Sequence, residues 1–194
     1  MKQVSDQETE EILRLAGDCL RLEGDFVELG CFEGDTSLLF AELLRKNFSD
    51  KKLWIYDSFE GLPEKGDKDF SEAGKDFQKG ELFVTKRFVK QRFLRANLPV
   101  PIIKKAWFSD LNPETDLPEK IAFAFLDGDL YDSIRVSLEL VAPKMSEGGI
   151  IVVHDFNNEQ LPGVTRATEE FLLKNDANFE QKMSLGIIRL DKKA

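Results

Sequence analysis

Three residues at the ends of two apolar runs carry the most chemistry. Asp127 follows Ile121-Ala-Phe-Ala-Phe-Leu126, and His154-Asp155 follow Ile150-Ile-Val-Val153. Neighbouring strands lie about 4.8 Å apart, so two carboxylates and an imidazole at such ends can converge on one point. That set could hold a divalent cation, Mg²⁺ or Mn²⁺ among the ions that favour oxygen ligands. It could equally act as a proton acceptor for a reacting hydroxyl. Asp127, His154 and Asp155 are therefore both the candidate catalytic residues and the candidate metal ligands. His154 is the only histidine in the chain, and the alternative for it is a packed, hydrogen-bonded imidazole. Asp129 and Asp132 read as loop and N-cap residues.

A second constellation lies earlier, in Glu28-Leu-Gly30-Cys-Phe-Glu-Gly34 and Thr36. Gly30 lets the backbone bend and lets a ligand approach with no Cβ in the way. Gly34 lets the next helix start close to the sheet. Thr36 offers a hydroxyl and a helix N-terminus to a carboxylate. A dinucleotide fingerprint would read Gly-x-Gly-x-x-Gly. Here one glycine fewer stands where a diphosphate would press, so a ligand lacking diphosphate fits better. An ordinary tight turn would leave the same spacing. Asp57 ends the next apolar run, Leu53-Trp-Ile-Tyr56. An acid at that place can accept both hydroxyls of a ribose, although Asp57-Ser58 also suits a plain turn.

These residues need strands to end beneath them and helices to start beside them, and the chain supplies both in alternation. Ser5 and Glu8 form a capping box ahead of Ile12, Leu15, Ala16, Cys19 and Leu20 at helical spacing, which predicts a helix over about 5–22. Asp25–Leu29 reads as a strand, and Thr36 caps a helix through Leu39, Leu43 and Leu44. Leu53–Tyr56 is a second strand. Residues 60–80 are polar and lack apolar periodicity, as a loop or lid does. Val84, Phe88, Phe93 and Leu94 predict a helix, and Ile102-Ile103 a third strand. Ile121–Leu126 is apolar throughout, as a strand covered on both faces must be. Asp132 or Ser133 caps a helix carrying Ile134, Leu138 and Val141. Gly148-Gly149 break the chain before the strand Ile150–Val153, and 163–174 is helical. Phe179–Met183 and Leu185–Leu190 make a closing hairpin that turns near Gly186. The class is α/β, a doubly wound, mostly parallel sheet with helices on both faces. Ligands bind such sheets beyond the carboxyl ends of the strands, where every residue singled out above falls.

Composition bounds the function. The chain has 194 residues, 42% hydrophobic and 32% charged, which suits one globular domain over 1–194 and excludes disorder. A net charge of −9 is a poor match for a phosphate backbone, so nucleic acid is not an expected partner. The basic run Lys86, Arg87, Lys90, Arg92 and Arg95 reads as a solvated helix face. No apolar run approaches the ~20 residues of a membrane span. Two cysteines, Cys19 and Cys31, form no disulfide framework and point to the cytoplasm.

Several strings together are specific. Glu28–Gly34, Tyr56-Asp-Ser-Phe-Glu-Gly-Leu-Pro63, Ala106-Trp-Phe108, Leu126-Asp-Gly-Asp-Leu-Tyr-Asp-Ser133 and Gly148-Gly-Ile-Ile-Val-Val-His-Asp-Phe156, with Pro162-Gly163, resemble the macrocin (TylF-like) O-methyltransferase family. The resemblance covers about residues 24–175. It implies a Rossmann-like, seven-stranded sheet with a C-terminal antiparallel hairpin, S-adenosyl-L-methionine as cofactor, and methyl transfer to a hydroxyl of a small molecule such as a saccharide. It also implies a homo-oligomer. Carried over residue by residue, Gly30, Gly34 and Thr36 meet the methionine end with Glu28 near its amino group. Asp57 holds the ribose, and Ser58, Trp107 and Phe108 lie by the adenine; core packing is the other reading of that aromatic pair. Asp127 borders the cofactor and the metal. The metal-using relatives carry an acid where His154 stands, so an imidazole there either moves the preference toward Mn²⁺ or a similar ion or removes the site. Two other readings stand beside this one: a scaffold that binds the cofactor without catalysis, and an NAD-dependent oxidoreductase.

Overall fold

The structure, a computed structural model, describes residues 3–71 and 77–190. In chain order the principal elements are α1 (Asp6–Asp18), β1 (Asp25–Leu29), α2 (Asp35–Lys46), β2 (Leu53–Asp57), α3 (Lys86–Arg95) and β3 (Ile102–Lys105). The one-turn α4 (Pro113–Asp116), β4 (Ile121–Leu126), α5 (Tyr131–Val141), β5 (Met145–Val153), α6 (Pro162–Leu172), β6 (Ala177–Lys182) and β7 (Leu185–Leu190) follow. The strands form one seven-stranded sheet in the order β3-β2-β1-β4-β5-β7-β6. The first five are mutually parallel, and β7 runs antiparallel between β5 and β6. The order reverses between β1 and β4, so their carboxyl ends open the crevice in which α/β sheets bind ligands.

Each face of the sheet has its own core. On one, Phe26, Phe40, Phe123 and Phe125 interlock beneath α1, α2 and α3, with Phe40 5.4 Å from Phe123 and 5.9 Å from Phe125 between ring centres. On the other, Leu29, Leu126, Ile134, Leu138 and Val164 pack under α5 and α6. All six residues of β4 are buried, as its unbroken apolar run requires.

Five local expectations change. The first helix ends at Asp18 rather than near residue 22. Thr36 does not cap α2: Gly34, at φ +82°, is the N-cap and turns the chain directly into the helix, leaving Thr36 in the first turn. Neither Asp132 nor Ser133 caps α5, whose N-cap is Leu130. The capping oxygen comes from across the molecule, because Tyr131 N–H donates to Asp69 at 2.7 Å, and Asp132 instead pairs with Arg135 at 3.1 Å. Gly148 and Gly149 lie inside β5 rather than before it. A Cβ on Gly149 would stand 2.9 Å from Met145 and 3.0 Å from the Ala122 carbonyl, so that glycine answers crowding within the sheet. The closing hairpin turns at Met183-Ser184, ahead of Gly186.

The segment read as an open polar loop is strapped down at both described ends. Leu62 and Glu81 pair at 2.8 Å, and Gly80 N–H reaches Leu62 O at 2.9 Å. Asp67–Asp69 form a 3₁₀ turn. Lys68 reaches the Tyr131 hydroxyl at 2.8 Å and Glu170 at 2.6 Å. Residues 72–76 of the expected lid lie outside the described residues. The basic run of α3 is a helix face as expected, with Arg92 donating to the Glu33 carbonyl at 2.8 Å.

Candidate active site

The turn after β1 is fixed from three sides. Gly30, at φ +88°, donates its N–H to the Tyr56 carbonyl at 2.9 Å. A Cβ there would stand 1.9 Å from the Asp127 carbonyl oxygen, so the neighbouring strand end, rather than a ligand alone, demands glycine. The Asp57 carboxylate then gathers the turn. One oxygen accepts from Cys31 N–H at 2.9 Å and Phe32 N–H at 3.3 Å; the other accepts from Phe59 N–H at 2.7 Å. A carboxylate offers about four acceptor positions, so roughly one remains for a ligand hydroxyl, fewer than the two expected.

Glu28 is buried beneath this turn and accepts a hydrogen bond from the Ser37 hydroxyl. Burial pushes its carboxyl up to about 8; the Ser37 bond opposes that, and the charges of Asp127 and Asp57 add to it. Beside it a small hollow of about 40 Å³ is lined by Glu28, Thr36 and Asp127, and by Gln3 and Thr9 from the N-terminal segment.

A larger cavity of about 440 Å³ opens from Gly30 and Asp57 toward Asp127 and Asp129. Ser58, Trp107 and Phe108 line its far wall. Gly34 lines neither hollow; a Cβ on it would press on Val89 at 3.2 Å, so it serves the packing of α2 on α3.

Asp127, His154 and Asp155 converge as their strand ends require. His154 Nδ1 lies 3.0 Å from Asp127 Oδ1 and 3.1 Å from Asp155 Oδ2. One ligand atom from each of the three falls within 4.8 Å of the others. Asn158 donates to the second oxygen of Asp155 at 2.9 Å and so orients that carboxylate. His154 is 4% exposed, and its ring packs on Phe125 at 6.0 Å between centres. Burial lowers the affinity of this imidazole for a proton, but the two flanking carboxylates outweigh burial and lift its pKa to about 11. Of the three, only Asp127 lines the large cavity.

Sequence reasoning missed three residues that line these hollows. Asp129, read as a loop residue, adopts φ +60° and lines the large cavity. Burial, then the charges of Asp127 and Asp155, push its carboxyl well above the usual range. The second acid of Asp127-Gly-Asp129 was the available signal. Gln3 and Thr9 bring the N-terminal segment to the smaller hollow, and no local pattern marks them.

The model of the macrocin-O-methyltransferase family, TylF, matches residues 8–191. The chain belongs to that family. Relatives of the chain include demethyldecarbamoylnovobiocin O-methyltransferase of Streptomyces niveus, 30% identical over 159 residues, 79% of this chain and 60% of that protein. The 8-demethyl-8-(2,3-dimethoxy-alpha-L-rhamnosyl)-tetracenomycin-C 4'-O-methyltransferase of Streptomyces olivaceus is 32% identical over 140 residues, 69% of this chain and 53% of that protein. This TylF-family chain thus spans a little over half the length of these relatives. Among solved structures, the O-methyltransferase NovP superposes with a TM-score of 0.80 at 26% identity, covering 95% of this chain and 79% of NovP.

Proposed function

We propose that this TylF-family chain is an S-adenosyl-L-methionine-dependent O-methyltransferase that methylates a hydroxyl of a small molecule, with a saccharide or a glycosylated natural product as acceptor. The observation that carries the reading is the cavity that joins the Gly30 turn and Asp57 to Asp127, inside a chain matched by the family along nearly its whole length. In this reading Trp107, Phe108 and Ser58 flank the adenine, and the free acceptor position of Asp57 takes one ribose hydroxyl. The methionine end enters the smaller hollow, where Glu28 meets the ammonium and Thr36 the carboxylate. Binding an ammonium favours ionised Glu28, which burial otherwise disfavours.

Methyl transfer is an in-line displacement. The acceptor oxygen attacks the methyl carbon, the carbon–sulfur bond breaks, and the sulfonium leaves as a neutral thioether. The protein must align the oxygen and receive its proton. Asp127, His154 and Asp155 would fit a divalent ion by their donor set, an imidazole and two carboxylates around one point, once the ion displaces the proton that the carboxylates hold on His154. A divalent ion there would lower the pKa of the acceptor hydroxyl and orient it. Asp129 lines the same cavity as Asp127 and, in its ionised form, would take the proton. The two cysteines are buried and unpaired, which suits a reducing cytoplasm, and a homo-oligomer is the expected assembly. Among the described residues no helix is long and apolar enough to cross a membrane.

Calorimetry with S-adenosylhomocysteine, followed by turnover on a panel of glycosides with and without a chelator, tests this reading. Binding with metal-dependent methylation is expected. The absence of binding heat would overturn it. Binding without any methylation would favour a non-catalytic scaffold, and methylation undiminished by the chelator would remove the metal.

A further inference from the structure

We propose that Asp69 is a positioning residue for methyl transfer: it caps α5 from across the molecule and so holds the Asp127-Gly128-Asp129 turn in its strained shape. The inference rests on the reading of that turn as the acceptor side of the site. It adds a residue that lines neither hollow and acts through the turn alone.

The turn is short and strained. It leaves β4 at Asp127, whose N–H donates to the Leu29 carbonyl at 2.9 Å, and it enters α5 at Tyr131. Between these points Leu130 N–H folds back on the Gly128 carbonyl at 2.6 Å, and Asp129 sits at φ +60°. Left-handed backbone is unfavourable for a residue with a Cβ and persists only where the surroundings over-determine it. A Cβ on Gly128 would stand 2.8 Å from the Ser133 Cβ, so the turn lies hard against the start of α5. Where that helix begins, the turn must follow.

Asp69 decides where α5 begins. The helix has no capping side chain of its own, since its N-cap is Leu130. Tyr131 N–H donates instead to Asp69 Oδ1 at 2.7 Å, and the other oxygen accepts from Gly66 N–H at 3.0 Å. The carboxylate is buried, and its charge meets the positive end of the helix dipole. Its 3₁₀ turn is anchored in its own right. Lys68 pairs with Glu170 of α6 at 2.6 Å, the Lys68 carbonyl accepts from Arg166 of α6, and the Ser71 hydroxyl donates to the Glu159 carbonyl at 2.9 Å. The segment from Asp127 to Tyr131 is thus fixed at its start by Leu29 and at its end by Asp69, and Asp129 bows between them.

The cofactor side is held by other bonds. Gly61, Leu62 and Pro63 wall the large cavity, and Leu62 is tied by its N–H to Glu81 at 2.8 Å and by its carbonyl to Gly80 N–H at 2.9 Å. Loss of Asp69 should therefore spare the cofactor and disturb the acceptor.

The test compares the full chain with Asp69→Ala and Asp69→Asn, each crystallised and each assayed. In Asp69→Ala the turn should move by about 1 Å, the scale at which positioning is lost, and Asp129 should leave positive φ while the sheet stays in place. Asp69→Asn keeps an acceptor for Tyr131 N–H and should restore both. S-adenosylhomocysteine affinity should change less than threefold in either variant. On the glycoside panel, turnover per cofactor-binding site should fall at least tenfold in Asp69→Ala and recover to within threefold of wild type in Asp69→Asn. Thr85→Ala removes a cap of the same kind from α3 and controls for lost stability; it should keep its turnover. Should Asp69→Ala fail to fold, Gly163→Ala, which crowds the same carboxylate, takes its place. An unmoved turn would overturn the proposal, as would equal loss of turnover in the alanine and asparagine variants. A wild-type chain that methylates nothing would count against the function proposed above, and the position of the turn would still decide this inference.

Discussion

Asp57 accepts three backbone N–H groups, from Cys31, Phe32 and Phe59, so replacing it unpairs two turns as well as removing the proposed ribose contact. Asp57→Ala should lower unfolding free energy by about 2–3 kcal/mol, at about 1 kcal/mol for each lost bond. It should also weaken S-adenosylhomocysteine at least tenfold. Denaturant unfolding and calorimetry check both, and an unchanged midpoint would show that water replaces the carboxylate without cost. Glu28 behaves differently. Burial holds its folded-state pKa at about 8, above its ordinary value of 4.5. A raised acid contributes stability that is complete below about pH 4.5 and is lost as pH rises through 8. Glu28→Gln should remove that decline, making the variant more stable than wild type by on the order of 1–2 kcal/mol at pH 9, yet weaker for the cofactor. Parallel stability–pH curves for the two proteins would sink this. At this scale the sequence sets Asp57, Asp127 and His154-Asp155 at the carboxyl ends of strands, and the structure has them there. Asp129 was not legible, because a loop acid and a cavity acid look alike until the chain around them is folded. Gly30 was read for the right bend but an incomplete reason, since the Asp127 carbonyl that excludes its Cβ comes from a strand far away in sequence.

The elements themselves were legible in proportion to how locally they are specified. β1 and β4 begin and end where the sequence expects them, and α1 starts at its capping box, with Ser5 and Glu8 exchanging hydrogen bonds. α5 departs from this because its cap is supplied by Asp69, 62 residues upstream in sequence, and no local rule reaches that distance. The same carboxylate explains Gly163. A Cβ there would stand 1.9 Å from Asp69 Oδ1 and 2.8 Å from Tyr131 N. Gly163→Ala should therefore push the 3₁₀ turn off α5 and cost about 2–3 kcal/mol, as overpacking does. Asp69→Ala should cost about 1–2 kcal/mol through the lost cap. Because both act on one contact, the double variant should be less destabilised than the sum of the two. Urea unfolding of the three proteins measures the coupling; strict additivity would mean that the glycine serves some other packing.

At the scale of the whole molecule, the first helix is sewn to the last hairpin, and the site lies under the seam. Glu8 accepts from the Ser184 hydroxyl, and Glu11 pairs with Lys182 at 2.6 Å and with Arg14 at 2.6 Å. The segment leading into α1 brings Gln3 to the hollow beside Glu28 and Thr36, joined there by Thr9 of α1 itself. The hydrogen bond from Arg14 is the largest influence on Glu11; burial opposes it, and with Lys182 also pulling downward the carboxyl is held at about 2. Burial raises the Glu8 carboxyl, but its bonds from Ser184 and Ser5 prevail and hold it below 4.5. Lowered acids contribute stability that is present above the ordinary carboxylate range and lost as pH falls through the folded-state value. Between about pH 4.5 and 2 the seam should therefore loosen. α1 is attached chiefly along one face, so its amides should exchange faster before those of β4, buried at the centre of the sheet. Glu11→Gln should remove its share of that loss and cost about 1 kcal/mol at neutral pH, the scale of an ion pair whose cationic partners are exposed. Cofactor affinity should fall with α1 protection in both proteins, because Thr9 of that helix lines the small hollow proposed for the methionine end. Hydrogen exchange read at α1 and β4 from pH 6 to pH 3, with cofactor binding measured at each step, follows both quantities. Equal protection of the two elements throughout, or affinity that holds while α1 exchanges freely, would show that the N-terminal helix is packing alone and no part of the site.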